Sequence, residues 1–203
     1  MISGLIRKDV LNIKSTAAYM IVVSVIFSAV FRYSSIMIPV MMLTCLIGTT
    51  FTYDRNTQWD SYAVSIGVKR KAIVDSKFIL SFCLLVIGLV IGIAVTSAYG
   101  LITDDSMEIM DLVDPSIIAI SAGLIATTIC CVINYIVSSD KVLAVSGLTA
   151  SICVVVAIAV SAVIGYDGID VPSSIPMIMF VIAVIVSIAG YATSQKLLDG
   201  KDL

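Results

Sequence analysis

The chain has 203 residues, 60% of them hydrophobic and only 13% charged, with a mean hydropathy of +1.12. A soluble domain carries about 45–50% apolar and about 25% charged residues, so a water-soluble core of this size could not bury so much apolar surface. The net charge is −2, but the charges are clustered, and the long uncharged runs between them have the length of membrane spans, about 20 residues for ~30 Å of hydrocarbon.

In chain order, the first element is MISGLIRKDVLNIKS. At 100° per residue, Ile2, Leu5, Ile6, Val10 and Ile13 share a face and Arg7, Lys8 and Lys14 point elsewhere, which predicts an amphipathic helix in the inner interface. Asp9 falls within the apolar stripe, so it is expected to face protein. The charged lead reaches Ser15 and no small-x-small cleavage site follows; the next apolar run reads as a retained span rather than a signal peptide. Two spans are predicted over residues 15–33 and 34–53. A single helix over both would be nearly twice the bilayer thickness, and Arg32-Tyr33-Ser34-Ser35 suits a tight turn between them. Pro39 lies inside the second window and is expected to bend it.

Asp54 to Lys77 is the longest soluble segment. Thr57 followed by Asp60 resembles a capping box, a short helix from Gln58 to Ser65 follows, and Gly67 supplies a stop. A second helix from about Lys69 runs into the third span, 78–102. Gly88 and Gly92 form a GxxxG there, a pattern that lets helices pack closely, either within the subunit or at a dimer seam. The acidic stretch TDDSMEIMDLVDP reads as a solvated outer loop, or one that attracts a cation. The remaining spans are predicted at 116–138, 142–166 and 175–194. Asn134 in the fourth is expected to hydrogen-bond to a neighbouring helix. The fold expected is therefore an all-α membrane protein with six transmembrane helices, one domain over residues 1–203.

The basic residues orient it. On six spans, eleven of the twelve lie on one side and only Arg32 on the other, while the acids divide seven and seven. Basic residues mark the cytoplasmic side, so both termini are expected to be cytoplasmic. There is no histidine, no GxxxxGK[ST] loop, no HExxH and no GxSxG, so neither ATP hydrolysis by this chain nor a Ser-His-Asp triad is expected. The five cysteines all lie in apolar runs, where a thiol acts as a small hydrophobe; neither disulfide nor zinc site is expected.

The stretch DRNTQWDSYAVSIGVKRKAIVDSKF resembles the loop between the second and third spans of small bacterial permeases of the type-two ABC exporter family. Trp59, Tyr62, Ile66, Arg70, Lys71, Ser76 and Lys77 match its pattern, with Gly67 where Pro is common and Lys69 where Ser is common. The opening LIRKDVLNIK, with Lys8-Asp9, is similar to the family's start. The resemblance implies that the short helix is a cytoplasmic coupling helix whose Trp59, Tyr62, Ile66, Arg70 and Lys71 dock on a separate ABC ATPase. It also implies a bacterial cell-membrane location and a second permease chain. The chain itself would hold no cofactor, ATP and magnesium being bound by the ATPase, and lipids but no nucleic acid would be its other partners. An exporter of an amphipathic peptide, antibiotic or lipid-like compound is the leading reading. A stand-alone secondary transporter or channel, or a membrane immunity or scaffold protein, are the alternatives.

Overall fold

The computed structural model describes residues 2–30, 36–103, 109–137 and 174–200. They form six helices: α1 (Ile2–Val30), α2 (Met37–Asn56), the short α3 (Trp59–Ser65), α4 (Arg70–Thr103), α5 (Ile109–Ile136) and α6 (Ser174–Asp199). All but α3 are long and apolar enough to cross a membrane. The predicted fifth span, 142–166, the Arg32–Ser35 turn and residues 104–108 of the acidic outer loop lie outside the described residues, while the rest of that loop from Ile109 onward is not a loop but the start of α5.

α1, α2, α4 and α5 alternate in direction and α6 runs parallel to α5, so the start of α1, the end of α2, the start of α4 and the ends of α5 and α6 lie at one end of the bundle. Ile13, Phe51, Val74, Tyr135 and Leu198 share a core there. A second core at the other end joins Ile36, Val40, Leu85 and Ala119. Every described lysine and arginine lies at the first end. α2 is the centre of the bundle and packs on α1, α4 and α5, while α6 packs on α5 and α4.

Three expectations are corrected. No break separates the amphipathic start from the first span, because α1 runs without interruption for 29 residues. No Gly or Pro interrupts it between Leu5 and Val30, and Leu5, Asp9 and Ile13, spaced four apart, are all buried on the side facing the bundle. Pro39 does not bend α2. It is the third helical residue, in the first turn, where an N–H has no partner to lose within the helix. Asn134 does not reach another helix with its side chain: Nδ2 donates to the Cys130 carbonyl one turn back, at 2.8 Å. Its backbone carbonyl, at 3.5 Å from Arg55 Nη2, makes the cross-helix link instead.

α4 is 34 residues long, about 51 Å at 1.5 Å per residue. That exceeds the hydrocarbon thickness, so α4 extends past the bilayer. Gly88 and Gly92 face α2. A Cβ at Gly88 would lie 2.8 Å from the Pro39 carbonyl oxygen and the Val40 Cα, and one at Gly92 would lie 2.8 Å from the Ile36 Cα. The contact is helix backbone against helix backbone, within the subunit. In the pair α5–α6 a glycine instead makes room for side chains, since a Cβ at Gly190 would fall 2.0 Å from Thr128 Cγ2. An apolar groove of about 520 Å³ runs between α4, α5 and α6, lined among others by Phe82, Leu89, Leu124 and Phe180.

Candidate functional site: the coupling segment and the buried charges behind it

α3 is seven residues long, too short to be stable alone in water, and its two ends explain why it is set apart from its neighbours. The predicted capping box does not form. Thr57 closes α2 instead, its Oγ1 donating to the Tyr53 carbonyl at 2.9 Å. The residue that enters α3 is Gln58, in the left-handed region at φ 51° and with no side-chain cap. At the other end Gly67 has φ 86°. Its N–H bonds the Val64 carbonyl at 3.0 Å and the Val68 N–H bonds the Ala63 carbonyl at 2.9 Å, the paired bonds of a Schellman stop. α3 is thus one closed turn-pair between two left-handed residues, resting mainly on α2.

Its faces differ. Ala63 is fully buried and Asp60 is 7% exposed, whereas Tyr62 and Ile66 are 55% and 58% exposed. The Trp59 ring is half-buried; it packs against the core around Ile13 and Phe51 and lies 5.5 Å from the Tyr62 ring. Burial raises the Asp60 pKa, and the nearby Asp54 raises it further, against the lowering pull of Arg55, Lys77 and Lys8.

Behind α3 lies a cluster of charges. Asp9 from α1 and Asp54 from α2 are 1% and 3% exposed, and Lys77 from α4 is 2% exposed. Lys77 Nζ is 3.0 Å from Asp9 Oδ2 and also pairs with Asp54 Oδ2. Lys8 Nζ is 3.0 Å from Asp9 Oδ1 and also pairs with Asp54 Oδ1. Two carboxylates are thereby held between two ammonium groups, each lysine touching both acids. Lys8 Nζ also lies 4.6 Å from the centroid of the Trp59 ring, and Lys77 Nζ lies 5.3 Å from that of Phe51. Taking such charges out of water costs several kcal/mol per ion, and only complete pairing offsets it. The alternation of lysine and aspartate supplies an ion pair for every charge, although Asp9 Oδ1, Asp54 Oδ2 and Lys77 Nζ make no hydrogen bond.

The basic residues of the coupling segment separate into two kinds. Lys69 and Lys71 are exposed. Arg70 faces the bundle: its Nη1 donates to the Leu198 carbonyl at 3.0 Å and the Asp199 carbonyl at 2.7 Å. It therefore caps the C-terminus of α6, where a cation is favoured by the orphan carbonyls. Tyr191 of α6 donates to Asp75 Oδ1 of α4 at 2.6 Å, and its ring meets Phe78 edge-on at 5.3 Å. Of the residues singled out in sequence, Trp59, Arg70 and Lys71 thus point to three different surroundings, and only Tyr62, Ile66 and Lys71 are outward.

Sequence reasoning missed the charge cluster as a unit. Its signals were present separately: an aspartate inside an apolar stripe, and the Lys8-Asp9 and Ser76-Lys77 pairs. Nothing in the sequence says that positions 9, 54 and 77 meet.

A chain whose described elements are all helices, five of them long and apolar enough to cross a membrane, with a short helix between the second and third long ones, matches a family over almost its whole length. Residues 4–198 fit the family model described as ABC-2 family transporter protein. The chain belongs to the ABC-2 transporter family. It is a multi-pass membrane protein of that family. No curated protein and no solved structure matched the chain.

Proposed function

We propose that this chain is the membrane-spanning permease subunit of an ATP-driven ABC exporter, with α3 as its coupling helix. The observation that carries the reading is the two-faced α3: seven residues between two left-handed positions, one face tied to the bundle and the other presenting Tyr62 and Ile66 to water. A solvent-facing aromatic and an aliphatic residue on a helix anchored from behind suit a hot spot for a protein partner. The partner is a separate ABC ATPase, which supplies the nucleotide chemistry and binds ATP and magnesium. This chain is non-catalytic and holds no cofactor. Tyr62, Ile66 and Lys71 make the docking surface; Trp59 and Arg70 hold it in place.

The topology is six spans in one domain, with both termini in the cytoplasm of a bacterial cell. The end of α5 and the start of α6 lie at opposite ends of the bundle, which supports the reading of 142–166 as the fifth span. The basic end of the bundle is the cytoplasmic one. Two such chains, identical or different, form the exporter with two ATPases. The apolar groove and the uncharged spans favour an amphipathic substrate: a peptide, an antibiotic or a lipid-like compound.

The test is capture of the ATPase by the Tyr62→Ala/Ile66→Ala double variant in detergent. Both side chains are exposed, so the variant is expected to insert and to melt like the parent. Truncating an aromatic anchor costs ~2 kcal/mol or more, so ATPase affinity is expected to fall well over tenfold. Equal affinity would remove α3 as the docking element.

A further inference from the structure

The two lysines of the buried cluster hold the same two carboxylates but differ in what else they touch. Lys77 is 2% exposed. It also lies over Phe51, in the bundle. Lys8 has a side chain 22% exposed and also lies over Trp59, the first residue of α3. Lys77 therefore closes the bundle, whereas Lys8 joins the bundle to the short helix.

That junction matters because α3 has few others. Its main support is α2, and the link to α2 passes through Gln58, whose left-handed φ makes it a corner rather than a helical continuation. α3 is closed on itself by the Schellman bonds at Gly67 and so moves as one piece. α1 has no covalent connection to α3. It reaches α3 at Trp59, whose ring packs against the core that includes Ile13 and lies under the Lys8 ammonium, itself held by Asp9 one residue along α1 and Asp54 at the end of α2. A cation held over indole by two carboxylates is partly desolvated, which strengthens the attraction.

We infer that Lys8 is a positioning residue that transmits displacement of α3 to α1, through its cation–π contact with Trp59 and its ion pairs with Asp9 and Asp54. The inference rests on the reading of α3 as the ATPase-docking helix. When the ATPase pushes α3, Trp59 carries Lys8 with it, and the shared carboxylates pass the movement to α1 and α2 together. Lys77 holds the same acids from the α4 side, so the first span moves against the third rather than separating from it.

Trp59 is the chain's single tryptophan, which gives a direct readout. In the purified chain, Lys8→Met removes the charge and keeps the side-chain length. It is expected to raise acrylamide quenching of Trp59 fluorescence about twofold, and Lys8→Arg, which retains charge and stacks on aromatic faces, is expected to restore the parent value. In the complex purified from its native membrane and returned to lipid, the measured quantity is the ratio of ATP hydrolysis to that of the isolated ATPase. Lys8→Met and Trp59→Leu are each expected to lower it about fivefold, the double variant no further than either single one, with the ATPase affinity of Lys8→Met within twofold of the parent. Rescue by Lys8→Arg separates this role from a loss of folding, which affinity and melting would report. Unchanged Trp59 quenching in Lys8→Met overturns the inference, as do losses that multiply in the double variant. A parent chain that binds no ATPase overturns instead the transporter reading on which the inference stands.

Discussion

Replacing Lys77 by methionine keeps the length of the side chain and removes its charge. In the parent, Asp9 and Asp54 are each buried to within a few per cent and each is ion-paired with both lysines. Without Lys77, two buried carboxylates share Lys8 alone, and one negative charge has no partner. Breaking a buried ion pair from one side costs about 3–5 kcal/mol, because the remaining charge stays desolvated. For a chain of 150–250 residues, each kcal/mol moves the melting temperature by about 2–4 °C, so Lys77→Met is expected to melt on the order of 10 °C below the parent in detergent. The matching change at Asp9 checks the cause. Lys77→Met/Asp9→Asn restores the balance of charges, with one lysine facing one carboxylate, and is expected to recover most of the loss although it carries two substitutions. A Lys77→Met shift below about 2 °C, or a double variant less stable than the single one, would refute the argument that paired charges hold α1, α2 and α4 together.

Two further outcomes follow from other parts of the fold. Alanine at Gly88 or Gly92 sets a methyl 2.8 Å from backbone atoms of α2, which cannot rotate away, so each substitution is expected to destabilise by about 1–3 kcal/mol; parent-like melting of both would show that α2 and α4 can part freely. Asp60 has a folded-state pKa raised first by burial and then by Asp54. The folded chain therefore takes up that proton before the unfolded chain does as pH falls, and the penalty for its charge is present above the folded pKa and vanishes as pH drops through it. Asp60→Asn is accordingly expected to melt above the parent at neutral pH, with the difference shrinking toward the ordinary carboxylate range; a gap that stays constant with pH would argue that Asp60 is not buried as a charge.

How much was legible differs by the physics involved. Long uncharged runs revealed the helices, because lipid imposes a length and an apolar composition on every span. Gly67 was readable as a stop, since a left-handed position favours glycine. The spacing of Tyr62 and Ile66, one turn apart on α3, was also local information. The capping box at Thr57 was misread because the left-handed Gln58, not Thr57, is the residue that precedes α3, while the Thr57 hydroxyl donates back to the Tyr53 carbonyl. Pro39 was misread because the start of α2 lies three residues later than the predicted span edge, which turns an interior proline into a first-turn one.

By itself, the sequence determined the class: a polytopic helical membrane protein, with its basic residues at one end and a short helix between the second and third long helices. Hydrophobicity, charge bias and turn chemistry act over a few residues and leave a trace in order along the chain. The tertiary structure alone decided which side of α3 faces outward and that Arg70 caps α6. It also decided that Asp9, Asp54 and Lys77, separated by 45 and 23 positions in the chain, meet in one desolvated cluster with Lys8. Ion pairing and burial are set by distance in space, and that distance exists only once the helices have packed.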